Sequence, residues 1–176
     1  KEYNDTRSKY KEKKYQPRMV FLMGNHEERI GRAINDNPAH LDGIIGYSDL
    51  DLKDWEVYDY QEIVEIEGIL FSHCFVNPYS LMKNVLGGTI DNRLQKIGSS
   101  FVMGHQQGLL FGTRAKIYSE TQLIGVVAGS YYQHDEGYLG PQGNYNWHGC
   151  VVLNDTKNGY GDIMSLSLDY MKRRYL

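Results

Sequence analysis

The sequence predicts an α/β protein, with mixed β-sheets flanked by helices, from three observations. Continuous apolar runs of strand length, Met19-Val20-Phe21-Leu22-Met23, Ile69-Leu70-Phe71 and Phe101-Val102-Met103, each run into a polar turn that carries a histidine. After the first run, the acidic pair Glu27-Glu28 precedes Arg29-Ile30-Gly31-Arg32-Ala33-Ile34, the pattern of a helix whose first turn carries negative charge. From residue 122 onward, apolar alternation and Gly- or Asn-containing turns dominate, so the second half is mainly β.

At 176 residues, one domain spanning 1–176 is expected, with mass enough for a sizeable core. Hydrophobic residues at 41% and charged residues at 23% exclude a disordered or collagenous chain. Lys and Arg total 19 against 22 Asp and Glu, a formal net charge of -3. That balance excludes a global basic field for holding nucleic acid or an anionic membrane, and leaves only a local basic groove. No apolar stretch approaches the ~20 residues of a membrane span, and no secretory leader pattern is visible, so neither insertion nor export is expected. The 2 cysteines, Cys74 and Cys150, are read as ordinary core thiols of a reducing compartment.

Taken in order, residues 1–16 are rich in charge (Lys9, Lys11, Lys13, Lys14) and lack an apolar stripe, which predicts the solvated tail of a helix rather than a basic arm. Pro17 ends that segment, and 19–23 is expected to be a strand buried on both faces, which requires neighbours. Residues 35–46 form a loop or broken helix, and Leu50, Leu52 and Trp55 a short amphipathic piece. Asp49 and Asp51 between them are expected to cap rather than to bind a cation. Residues 63–66 and 69–72 form a hairpin about Glu67-Gly68 that delivers His73. A Gly87-Gly88-Thr89 loop leads to a short helix ending near Lys96. The strand at 101–103 ends at Gly104-His105-Gln106-Gln107. A strand at 122–128, and a hairpin of 150–153 with 162–168 turning near Lys157-Asn158-Gly159, complete the chain before Lys172-Arg173-Arg174. The 15 tyrosines, many between Tyr131 and Tyr160, suit either an open binding face or half-buried strand positions.

Three histidine-bearing strand ends can converge, because ligands of open α/β sheets collect where strands end. Imidazoles with an amide oxygen form a mixed N/O donor set suited to Mn, Fe, Zn or Ni rather than to Ca or Mg. In this setting Gly24-Asn25-His26-Glu27, then His73 in Phe71-Ser72-His73, then Gly104-His105 resemble, in order and strand context, the calcineurin-like metallophosphoesterases. Their signature is Gly-Asn-His-Asp/Glu, an isolated strand-end His, and Gly-His-x-His. The resemblance runs from Met19 to nearly the end of the chain.

The resemblance implies an αββα sandwich and two divalent ions that clamp the phosphoryl group of a substrate and generate the attacking hydroxide. One ion falls to Asn25, His73 and His105. His26 would protonate the leaving oxygen, and Glu27 would orient a ligand. The family's other ion uses Asp-x-His and Gly-Asp-x-x-Asp upstream, which this sequence lacks, and a final histidine replaced here by Gln107, a weaker oxygen donor. The expectation is therefore the C-terminal part of a phosphoester hydrolase, acting on a monoester or diester such as a nucleotide or nucleic acid. The alternative is a catalytically degenerate metal- or partner-binding module of the same fold. Gly-Asn-His-Glu-Glu-Arg-Ile and Trp147-His148-Gly149 resemble phage-encoded members, which implies a bacterial host cytoplasm. Arg29 and Arg114 are read as surface charges, and His134 and His148 as residues of structural turns rather than of the pocket rim.

Overall fold

The computed structural model describes residues 2–118 and 120–175. The chain is a mixed α/β protein built on a five-stranded sheet, with two two-stranded sheets beside it. Helix α1 (Glu2–Lys9) has no apolar face and is closed by its own polar returns. Arg7 pairs with Glu12 at 3.0 Å, and the Asn4 side chain bonds both backbone groups of Tyr15. It is the solvated helix expected.

Strand β1 (Val20–Leu22) runs parallel to β2 (Glu56–Tyr58), a strand the sequence pattern did not announce. The burial expected on both faces of β1 is not found. Val20, Phe21 and Leu22 are half-buried, and only Met23 and Gly24 at its end are fully enclosed. Among the described residues β2 is the sole strand paired with β1, and Trp55 covers Phe21 edge-on at a centroid distance of 6.2 Å. Helices α2 (Glu28–Asp36) and α3 (Pro38–Leu41) are the broken helix that follows. The expected amphipathic piece is instead a single 3₁₀ turn, Tyr47–Leu50, leading into β2. Asp49 caps that turn, accepting from the Gly46 N–H at 2.9 Å, so capping explains it without a cation.

The main sheet has the order β3-β4-β5-β7-β6. Strands β3 (Val64–Ile66) and β4 (Ile69–Ser72) form the predicted hairpin. Its turn residues Glu67 and Gly68 both have positive φ, 52° and 78°, the two-residue turn whose twist matches the strands. Strand β4 is parallel to β5 (Phe101–Met103), and β5 to β7 (Gln122–Ala128). Helix α4 (Ile90–Ile97) starts on the Thr89 side chain, which accepts from the Asn92 N–H, and ends on Gly98 at φ 75°. It lies so close to the sheet that a Cβ on Gly125 would come within 2.8 Å of both Ile90 and Phe101. The core is centred there: Phe101, Met103, Leu86, Leu94 and Val127 are almost wholly buried.

Strand β6 (Leu109–Ala115), antiparallel at the sheet edge, was missed because Leu110 and Phe111 face solvent and break the apolar alternation. Beyond α5 (Gly140–Gly143), β8 (Gly149–Lys157) and β9 (Tyr160–Ser167) form the second hairpin, turning at Asn158-Gly159 as expected. Its turn touches the first one, the Gly159 N–H donating to the Glu67 carbonyl at 2.8 Å. Leu168, read as strand, opens α6 (Leu168–Tyr175), which also contains the terminal basic run. Cys74 is buried and Cys150 half-buried, both free thiols. No helix among the described residues is long and apolar enough to cross a membrane.

Candidate metal centre

Parallel registry brings the two strand-end histidines together. Ser72 pairs with Met103 across β4 and β5, so His73 and Gly104 leave the same sheet end side by side, and the Gly104 N–H donates to the His73 carbonyl at 3.1 Å. Fully buried Ser72 bends the exit, its hydroxyl donating to the Cys74 carbonyl. His105 then turns back at φ 61°, a left-handed backbone rare for a residue with a Cβ and typical of constrained functional positions.

Asn25 arrives from a different sheet. After β1 the chain turns through Gly24, whose N–H donates to Glu27 Oε2 at 2.8 Å. No side chain fits at Gly24: a Cβ would lie 2.6 Å from His73 Cε1 and 2.8 Å from Glu27 Oε2. That missing side chain is what lets the turn close on the imidazole. The outcome is a triangle, with Asn25 Oδ1 3.0 Å from His73 Nε2, Asn25 Oδ1 3.2 Å from His105 Nδ1, and the two ring nitrogens 3.3 Å apart.

Hydrogen bonds alone cannot satisfy all three edges. The amide oxygen only accepts, so both rings must donate to it, which leaves two N–H groups facing each other. If either ring accepts from the other instead, its lone pair meets the oxygen. A cation removes the conflict, because donors held at about 2.1 Å from one ion at angles between about 90° and 110° stand about 3.0–3.4 Å apart. Among the described residues no three His, Cys, Asp or Glu side chains gather as a metal site, and here an amide completes the set. Electrostatics suit a cation. Burial pushes the His73 pKa below its ordinary value, with the His105 charge acting the same way and Glu27 opposing. His105 is lowered first by burial and then by His26. Neutral rings offer lone pairs.

The triangle opens into a cavity of about 770 Å³ that also takes in His26, Arg29, Gln106, Gln107, Tyr131 and Tyr132. His26 is exposed on its wall, near enough to influence both ring charges. Gln107 lines the cavity, but its side-chain oxygen accepts from the Tyr132 hydroxyl. Arg29 is exposed, as the surface-charge reading expects, and it also lines the cavity without an ion pair among the described residues, whereas Arg114 is tied to Asp91 at 2.6 Å outside the cavity. His134, paired with Glu136 at 2.9 Å, and His148, whose Nδ1 bonds the Tyr132 carbonyl, line a separate cavity of about 370 Å³. Sequence reasoning missed Ser130, and it reached Tyr131 and Tyr132 only as part of a tyrosine-rich stretch that suits an open binding face. The signal was present, since β7 is parallel to β5 and also ends at this edge, at Gly129. Comparison of the chain with protein-family models, curated proteins and solved structures found no match.

Proposed function

We propose that the chain is a metal-dependent phosphoester hydrolase of the calcineurin-like kind, and that its sheets and helices belong to an αββα sandwich. The observation that carries this reading is the Asn25–His73–His105 triangle, whose three contacts call for a cation. A divalent Mn, Fe, Zn or Ni ion held by these donors would supply Lewis-acid polarisation of a phosphoryl oxygen and acidify water. Glu27, bonded to the Gly24 N–H, stiffens the turn that presents Asn25 and keeps a negative charge beside His73. Arg29, without an ion pair among the described residues, offers its guanidinium to the anionic group of a phosphomonoester, phosphodiester or nucleotide. His26, exposed on the cavity wall, gives a proton to the leaving oxygen as the P–O bond breaks, so the group departs as a neutral alcohol.

The bond from Tyr132 to Gln107 favours a second reading. With that amide oxygen engaged, the donors gathered here suit one ion, and a catalytically degenerate module that binds metal or a partner uses the same residues. The two readings part under Mn2+ titration combined with p-nitrophenyl phosphate and bis-p-nitrophenyl phosphate hydrolysis. His26→Ala is expected to keep Mn2+ and lose about 10²–10⁴-fold in turnover, while His73→Ala loses both. Metal binding without hydrolysis in the unaltered chain supports the module, and unchanged turnover in His26→Ala removes the proposed proton donor.

A further inference from the structure

Behind the cavity lies a buried cation without an anion. Arg93, on α4, is 1% exposed and makes no ion pair among the described residues. Among the described residues its guanidinium bonds only neutral groups: Nε donates to the Gly88 carbonyl at 3.1 Å, Nη1 to Met103 Sδ at 3.3 Å, and Nη2 to Gln106 Oε1 at 2.5 Å. Burial lowers its pKa, yet a guanidinium stays charged in proteins. The structure therefore holds a positive charge just beneath the residue that follows His105.

Gln106 transmits that charge. With Oε1 locked on the cation, the amide has one orientation, and its NH2 must face elsewhere. Gln106 lines the cavity, and among the described residues its Nε2, 4.0 Å from where a Cβ on Gly87 would stand, has no hydrogen-bond partner and is not enclosed. A carbonyl pulled by a cation leaves its own N–H groups more acidic and stronger as donors.

We propose that Gln106 is an anion-binding residue of this site, its NH2 group donating to an oxygen of a tetrahedral oxyanion seated beside His105, and that Arg93 is the positioning residue that orients and polarises it. The bound anion is then the counter-charge that Arg93 lacks inside the protein. The identity of the anion as a phosphoryl group rests on the phosphoester reading above, whereas the Gln106–Arg93 arrangement does not.

Inorganic phosphate is the probe, titrated calorimetrically into the full chain with and without saturating Mn2+, with Mn2+ affinity measured separately. Gln106→Ala is expected to weaken phosphate binding about tenfold while Mn2+ affinity stays within about twofold. Gln106→Glu weakens phosphate at least as much, because its carboxylate pairs with Arg93 and faces the anion. Arg93→Met reproduces the phosphate loss and adds little to Gln106→Ala in the double variant. Should Arg93→Met fail to fold, the two Gln106 variants, on the cavity wall, still decide the matter. Wild-type phosphate affinity in both Gln106 variants overturns the proposal. So does an equal loss of Mn2+ affinity, which would make Gln106 a mere support for His105, and so does a wild type that binds no phosphate. A chain that loses phosphate on Gln106→Ala but hydrolyses no ester upholds the inference and sinks the hydrolase reading. One that hydrolyses, with phosphate inhibition unmoved by Gln106→Ala, does the reverse.

Discussion

The two sheets that meet at the candidate centre are held very differently. His73 and His105 leave β4 and β5, where Phe101 and Met103 of β5 and Val127 of the adjoining β7 are at most 1% exposed. Asn25 and His26 leave β1, which is half-buried and paired with β2 alone among the described residues. One side of the triangle is thus anchored in the core, and the other rests on a small surface sheet. A bound cation would be the link between them, so its effect should fall mostly on the weaker side.

The largest test of that asymmetry removes one aromatic ring from each side. Phe101→Ala is expected to cost about 3–5 kcal/mol in urea unfolding, and Phe21→Ala, half-buried against Trp55, about 1–2 kcal/mol. Equal losses would mean that β1 belongs to the same core. Next comes the ion itself. Mn2+ at a hundred times its dissociation constant should raise global stability by about 2.7 kcal/mol, and amide exchange should slow most in β1, β2 and the turn at Gly24. Slowing spread evenly over β4 and β5 would break the comparison.

Gly24→Ala sharpens it at the junction. The added methyl displaces the His73 ring or the Glu27 carboxylate, and Mn2+ affinity should fall about tenfold, roughly 1.4 kcal/mol, with the five-stranded sheet unchanged by circular dichroism. Unchanged affinity would show that the turn can move without the ring. The smallest effect is the response to pH. In the metal-free protein the folded forms of His73 and His105 bind protons less readily than the unfolded chain, whose histidines titrate near about 6.5. Stability should therefore fall as pH drops below about 6.5 and level off below the depressed folded values. The slope should shrink in His73→Phe; a slope unchanged by that substitution would remove His73 as its source.

Signals that act over a few residues were legible in the sequence. Glu67-Gly68 and Asn158-Gly159 mark both hairpin turns, because those positions need positive φ. Thr89 and Gly98 bound α4 for equally local reasons. The three donors were legible as strand ends. Strands β2 and β6 were not, since exposed Val57, Leu110 and Phe111 hide the alternation that marks a half-buried strand. Nor was the environment of Arg93, which appears in sequence as one polar residue among several.

The chain by itself therefore determined an α/β composition of elements, the turns between them, and the order Asn25, His73, His105 in which chemically useful side chains occur. Only the tertiary structure decided that these three meet at 3.0–3.3 Å, that Gln107 turns to Tyr132, and that Arg93 is enclosed beneath Gln106. The reason is physical. Turns and caps are settled by the dihedral and hydrogen-bond preferences of neighbouring residues, whereas convergence at a sheet end depends on parallel registry between strands about thirty residues apart and on a glycine that leaves room for a ring.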